Sequence, residues 1–283
     1  MDLESARARF RDICVAEHLE LPGDYFEVLY EVLNWLDIEL RTGRKILGVS
    51  GAQGSGKSTF SALVAQLLKH QGLSAEVVSL DDYYLTKSQR QKLTTISPLL
   101  ATRGVPGTHD LAACLQTLEA FRQKSSASIP AFSKSDDDRV GERNIDFAEA
   151  DLLIIEGWCW GAEVQTAQEL LQPVNQLEAA EDTDLIWRTY VNAQVAAYQA
   201  LFSADLNLML RAPDFRSVFA WRWQQEQGLP AGAASMDQNG VRQFIMYFQR
   251  ITQQLLNAEP DRFDVVIALD EAHRLTLDKF PSL

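Results

Sequence analysis

The chain has 283 residues, 46% of them hydrophobic and 23% charged, with a formal net charge of −13. That length accommodates one large or two small domains, and the acidic balance argues against a nucleic-acid or anionic-membrane surface, since both need basic patches. The cysteines, Cys14, Cys114 and Cys159, are odd in number and far apart, which excludes a disulfide framework and zinc spacing and points to small buried hydrophobes in a reducing compartment.

No secretory leader pattern opens the chain and no apolar run reaches membrane-spanning length, so a cytoplasmic protein with no membrane partner is expected. Within residues 1–44, Phe26, Leu29, Tyr30, Leu33, Trp35, Leu36 and Leu40 recur at helical spacing up to Gly43. They predict an amphipathic helix, part of an N-terminal extension packed on a core that starts at residue 45.

The apolar run Ile46, Leu47, Gly48, Val49 reads as a buried strand. It leads into Gly51-Ala52-Gln53-Gly54-Ser55-Gly56-Lys57-Ser58-Thr59, after which Phe60, Leu63, Val64, Leu67 and Leu68 continue as a helix up to Gly72. Strand, glycine-rich loop and helix in this order form a phosphate cradle. The glycines let backbone N–H groups turn inward, and the helix dipole adds positive potential. The Lys57 ammonium reaches the β- and γ-phosphates, and the Ser58 hydroxyl ligates magnesium. A nucleoside triphosphate with Mg2+ is the expected cofactor.

Residues 75–80 read as a second strand, running into Asp81-Asp82-Tyr83-Tyr84. Acids just past the carboxyl end of a strand lie where open α/β sheets bind ligands. In an extended stretch the two carboxylates point to opposite sides, so one of them is the candidate base beside the phosphates. Residues 85–109 carry turn signals, with the cluster Arg103-Gly104-Val105-Pro106-Gly107-Thr108-His109 ahead of Asp110, a helix cap. A long loop holding Arg103 and His109 points to function.

Residues 125–128 read as a polar linker, 129–132 as a short edge strand, and 133–139, with Asp136-Asp137-Asp138, as a solvated loop whose neighbours Lys134, Arg139 and Arg143 could contact phosphate or substrate. Leu152 to Ile155 form the most apolar strand, consistent with a central parallel position, and Glu156-Gly157-Trp158 follows it. A carboxylate there is placed to hold magnesium or orient a nucleophile. Helical patterns then cover 166–204 and roughly 237–256, with strands at 206–210 and 263–269. Between them, Arg216 and Arg222 could clamp phosphates from a lid, or could be surface charge.

These pieces resemble the P-loop kinases of the phosphoribulokinase, uridine kinase and pantothenate kinase group. The resemblance is closer still to the plant and fungal-type D-glycerate 3-kinases and their bacterial relatives. It rests on the phosphate loop, Asp81 to Thr86, Arg103 to Asp110, Lys134-Ser135, Glu156-Gly157-Trp158, Val191-Asn192 with Tyr198, and Trp221-Arg222 with Gln225-Glu226. It implies a P-loop NTPase fold: α/β, with a mostly parallel central sheet flanked by helices on both faces. The kinase domain would span 45–283, with an acceptor-binding insert at about 83–145 and a lid at about 211–235.

The resemblance further implies that Asp81 orients the acceptor hydroxyl and that Glu156 holds magnesium together with Ser58. Asp82, Tyr83, Arg103, His109, Lys134, Arg143 and Trp158 would line the acceptor side. Ser133, Asp136 to Asp138 and Ala162 depart from the family pattern. The expected activity is ATP-dependent phosphorylation of a hydroxyl on a small metabolite, D-glycerate or a related acid first. A nucleoside, pantothenate or a sugar acid is the alternative acceptor, and a non-catalytic ATP-dependent switch is the alternative class.

Overall fold

A computed structural model describes residues 2–228 and 236–281. Helices α1 (Leu3–Ala16) and α2 (Tyr25–Leu40) precede strand β1 (Lys45–Gly51), helix α3 (Lys57–His70) and strand β2 (Ala75–Ser79). A 3-10 turn over Leu80–Tyr83 leads to α4 (Lys87–Leu93) and α5 (Leu111–Arg122). Next come β3 (Ser126–Ser133), β4 (Asp138–Asp146) and β5 (Leu152–Gly157), then α6 (Ala167–Leu171), α7 (Gln176–Glu181) and α8 (Ile186–Phe202). The chain ends with β6 (Leu206–Arg211), α9 (Phe215–Gln227), α10 (Gln238–Leu256), β7 (Val265–Leu269) and β8 (Leu275–Lys279).

The central sheet has the order β2-β5-β1-β6-β7-β8, and every pairing is parallel except β7 with β8. Its inner strands are apolar at nearly every position because both faces are covered. Alternate residues feed two separate cores. Ile46, Leu153, Ile155, Met209 and Val266 pack with α5, α8 and α10 on one face. Leu47, Val49, Leu152, Ile154, Leu208 and Ile267 pack with α2, α3 and α9 on the other. This is the α/β architecture expected from the sequence.

The N-terminal helices are part of that second core. Leu29, Val32, Leu33 and Leu36 of α2 are fully buried, and Trp35 meets Phe280 edge-on with ring centroids 6.4 Å apart.

The insert differs from the sequence reading. Residues 126–146 form an antiparallel hairpin, β3 with β4, so most of the supposed linker is strand, Asp136 and Asp137 lie in the turn between strands, and Asp138 opens β4. The presumed loop at 85–109 holds α4, and the helical pattern of 166–204 is broken into α6, α7 and α8. Asp182 makes the last of these breaks: its carboxylate accepts the amides of Trp187 and Arg188 and the Arg188 guanidinium, capping the start of α8.

Candidate active site

The phosphate loop leaves the carboxyl end of β1. Gly54 (φ 78°) and Gly56 (φ 83°) take the left-handed conformation that L side chains resist. Gly54 is doubly constrained, because a Cβ there would lie 2.6 Å from Trp221 Cβ on α9. Helix α3 starts at Lys57, and the amide of Phe60 donates to Gly56 O at 2.9 Å. The amides of the preceding turn have no intrahelical acceptor and remain available to an anion. Gln53 Oε1 and Ser55 Oγ are buried in the same loop without a hydrogen-bond partner.

Parallel pairing sets the neighbours of this loop. Glu156 is opposite Val49 of β1 on one side and opposite Ser79 of β2 on the other. Its carboxylate is 3% exposed; Ser58 Oγ donates to Oε1 at 2.8 Å, and Lys57 Nζ lies 3.6 Å from Oε2. Oε2 itself is buried and accepts no hydrogen bond. A hydroxyl beside a carboxylate with an orphaned oxygen fits a magnesium ion that takes its other oxygens from phosphates and water. Among the described residues no group of three or more His, Cys, Asp or Glu could hold a metal ion alone.

Beyond β2 the 3-10 turn is closed by a capping box, in which Asp82 accepts the Ser79 amide at 3.4 Å. Arg143 lies 3.5 Å from Asp82 and donates to Val77 O at 3.0 Å. Burial outweighs these contacts and raises the Asp82 pKa. Asp81 points elsewhere. Its Oδ1 accepts the Tyr84 hydroxyl at 2.6 Å, and its Oδ2 accepts Lys134 Nζ at 2.7 Å. Burial would raise its pKa, but the ammonium groups of Lys134 and Lys57 and the two hydrogen bonds hold the carboxyl well below the usual carboxylate range.

His109 sits behind Tyr84, with ring centroids 4.7 Å apart, and its Nδ1 is 2.8 Å from Tyr198 Oη. Its Nε2 is buried without a partner, and burial lowers its pKa to about 4 despite the nearby Asp81 charge. The hairpin covers this corner. Phe132 meets Tyr84 edge-on at 5.1 Å, Arg139 donates to Tyr84 O at 2.8 Å, and Asp137 is shared by the guanidinium groups of Arg90 and Arg103. A cavity of about 290 Å³ opens alongside, lined by Lys87, Gln91, Thr102, Arg103, Asp137 and Phe244.

Lys57, Ser58, Glu156, Asp81, Lys134, Arg103 and His109 thus gather around one edge of the sheet and its covering hairpin. Tyr83 and Trp158 do not face that space. Tyr83 is fully buried and donates to Thr117 Oγ1 at 2.8 Å, and buried Trp158 donates to Gly104 O at 2.8 Å. Both position backbone. Arg216 is 93% exposed and paired with Asp214, while Arg222 pairs with Glu226 and lies over the Phe244 ring. Of the expected lid at 211–235, residues 229–235 lie outside the described residues. Tyr84, Asp137, Tyr198 and His273 also belong to this site without an expected role; Tyr84, next to the acid pair, and Tyr198, among the residues that carry the resemblance, had a sequence signal, while Asp137 and His273 had none.

Fold and site define a P-loop kinase. The phosphoribulokinase / uridine kinase family profile matches residues 46–190, and the chain belongs to that family. It is 33% identical over 218 residues to the uncharacterized kinase mug58 of Schizosaccharomyces pombe, spanning 72% of this chain and 78% of that one. It is 27% identical to the chloroplastic D-glycerate 3-kinase of Arabidopsis thaliana, over 80% of this chain but only 52% of the plant protein. The structure of a D-glycerate 3-kinase from Cryptococcus neoformans superposes with a TM-score of 0.74 at 24% identity, covering 89% of this chain and 99% of that one; that likeness speaks to the fold. No helix among the described residues is long and apolar enough to cross a membrane.

Proposed function

We propose that this chain transfers the γ-phosphoryl group of ATP to a hydroxyl of a small hydroxy acid, with D-glycerate the first acceptor to test. The observation that carries this reading is the position of Asp81, whose carboxylate shares its surroundings with Lys57 on the phosphate side and Lys134 on the hairpin side. The D-glycerate 3-kinase name of the plant relative supports the choice of acceptor.

The loop amides and Lys57 hold the β- and γ-phosphates, and Ser58 with Glu156 would hold magnesium. The ion would neutralise charge on the phosphate oxygens. Asp81 orients the acceptor hydroxyl and takes its proton. The hydroxyl oxygen forms the new bond to the γ-phosphorus while the β–γ bridging bond breaks, its electron pair leaving on ADP. Little covalent work falls to the protein, which supplies alignment and a fixed electrostatic environment.

The test is ADP release with Mg·ATP against a panel of D-glycerate, sugar acids, pantothenate and nucleosides, with the phosphorylated product identified by mass. Acceptor-dependent ADP formation with a hydroxy acid supports the proposal. Turnover restricted to a nucleoside or to pantothenate rejects the acceptor, and slow hydrolysis indifferent to every acceptor rejects the kinase reading in favour of a nucleotide switch.

A further inference from the structure

The two hydrogen-bond partners of Asp81 differ in freedom. Tyr84 is buried, its ring held between Phe132 at 5.1 Å and His109 at 4.7 Å, so its hydroxyl stays on Oδ1. Lys134, on Oδ2, has a side chain that is 66% exposed against 25% for Asp81. Its ammonium can leave; the phenol cannot.

The backbone beneath Lys134 is fixed. Asp137, with a left-handed φ of 54°, places its carboxylate between Arg90 and Arg103, and Arg90 also donates to Leu85 O at 2.6 Å and Asp137 O at 2.9 Å. Arg103 donates in turn to Lys134 O at 3.4 Å. The hairpin turn is therefore a rigid post bearing a flexible four-carbon arm.

While the ammonium rests on Asp81 it stabilises the ionised carboxylate and opposes uptake of a hydroxyl proton. Among the described residues the other titratable groups that sense Asp81 are Lys57, Tyr84, His109, Asp82 and the buried Cys159. The neighbouring arginines are already matched: Arg90 and Arg103 to Asp137, Arg139 to Asp110, Arg143 to Asp82. Lys134 is matched to the proposed base itself, and the carboxylate of an incoming acid would offer it a second partner.

We infer that Lys134 makes the charge of the acceptor a condition of catalysis: the carboxylate of a hydroxy acid draws the ammonium off Asp81, and a neutral acceptor carrying the same hydroxyl leaves the base masked. This rests on the proposed function, in which Asp81 is the base and the acceptor is an acid. No covalent change accompanies the exchange of ion pairs. The hydroxyl proton then passes to the freed Asp81 oxygen as the phosphoryl group transfers.

The experiment compares D-glycerate with glycerol, each with Mg·ATP, in the wild type, Lys134→Met and Lys134→Arg. Wild-type kcat/KM for the acid should exceed that for glycerol by about ten- to a hundredfold, the range of a charge-assisted contact. Lys134→Met should bring that ratio close to one by losing the acid while glycerol turnover rises with the base unmasked, and Lys134→Arg should restore part of it. Calorimetry with a non-hydrolysable ATP analogue checks separately that Lys134→Met weakens binding of the acid and not of glycerol. Equal losses for both acceptors in Lys134→Met, or a wild type indifferent to acceptor charge, overturn the inference and leave the kinase reading standing. A wild type that phosphorylates no hydroxy acid removes the acceptor reading and the inference together.

Discussion

His273 donates its Nε2–H to the carbonyl oxygen of Gly54 across 2.7 Å, fastening the turn between β7 and β8 to the phosphate loop. The same ring stacks at 4.2 Å on Trp221, the residue against which Gly54 is packed. A loop that grips phosphate through backbone amides works only if those amides already point inward, and this pair of contacts holds them so. His273→Ala should raise KM for ATP by about two- to tenfold, the worth of one hydrogen bond, and leave KM for the acceptor unchanged. Steady-state kinetics with each substrate varied would reveal an error if the acceptor term moved instead.

Asp81 as base makes a sharper forecast. Asp81→Asn retains the shape and can still accept the Tyr84 hydroxyl, but it cannot take a proton. Turnover should drop by about 10²–10⁴-fold, the usual contribution of a positioned acid or base, with the affinity for Mg·ATP within about twofold of wild type. Parallel loss of nucleotide affinity, measured by calorimetry, would show that Asp81 serves the phosphates and not the acceptor.

Glu156 is the third test. Its Oε2 is buried, accepts no hydrogen bond and lies 3.6 Å from Lys57 Nζ, while Oε1 accepts from Ser58. Glu156→Gln keeps the volume and removes the charge a divalent ion needs. The gain in ATP affinity on adding magnesium should shrink, with magnesium-free ADP binding little altered. A titration in which both proteins gain equally from the ion would remove Glu156 from the proposed metal site.

What the sequence made legible follows from how locally each feature is encoded. The phosphate loop is written in nine consecutive residues whose backbone demands are local, and Glu156 and Asp81 stand at strand ends where topology dictates the use. The acceptor side is written in long-range pairings. Ser126 to Ser128 and Asp138 have poor strand propensity, and they become strand only because each finds its partner across the hairpin. Asp81 and Asp82 do diverge, but through a 3-10 turn and not a strand. Three residues per turn bring positions 81 and 84 onto one side, which is why Tyr84 reaches Asp81 and Tyr83 is turned into the core. Asp137 was unreadable as a latch, since both of its arginines come from other segments.

Gly48 carries a structural forecast that its place within an apolar strand did not announce. A Cβ at this position would fall inside the indole of Trp160, whose Nε1–H donates to Asn207 Oδ1 at 2.9 Å and whose carbonyl accepts Ser50 Oγ at 2.8 Å. The ring is fully buried. Gly48→Ala should cost about 1–3 kcal/mol through overpacking, read as a lowered denaturation midpoint at unchanged slope. An unaltered midpoint would mean that the tryptophan repacks freely.

His109 gives the molecule a pH dependence of stability. Burial lowers its pKa from the ordinary 6.5 to about 4, with the Asp81 charge opposing that shift. Between these two values the unfolded chain binds a proton that the folded chain does not. Stability therefore rises with pH across the window, and is lost as pH falls from about 6.5 to about 4, by on the order of 3 kcal/mol in all. The depressed Asp81 carboxyl acts in the same sense at lower pH, its contribution disappearing as pH falls from the unfolded carboxylate range through the folded pKa. His109→Gln can still hydrogen-bond Tyr198 and has no proton to gain, so its stability should be nearly flat over the upper window while the wild type declines. Denaturant titrations of both proteins at closely spaced pH values between 4 and 7 measure the difference; identical slopes would mean that His109 is protonated in the folded state and that its Nε2 has found a partner.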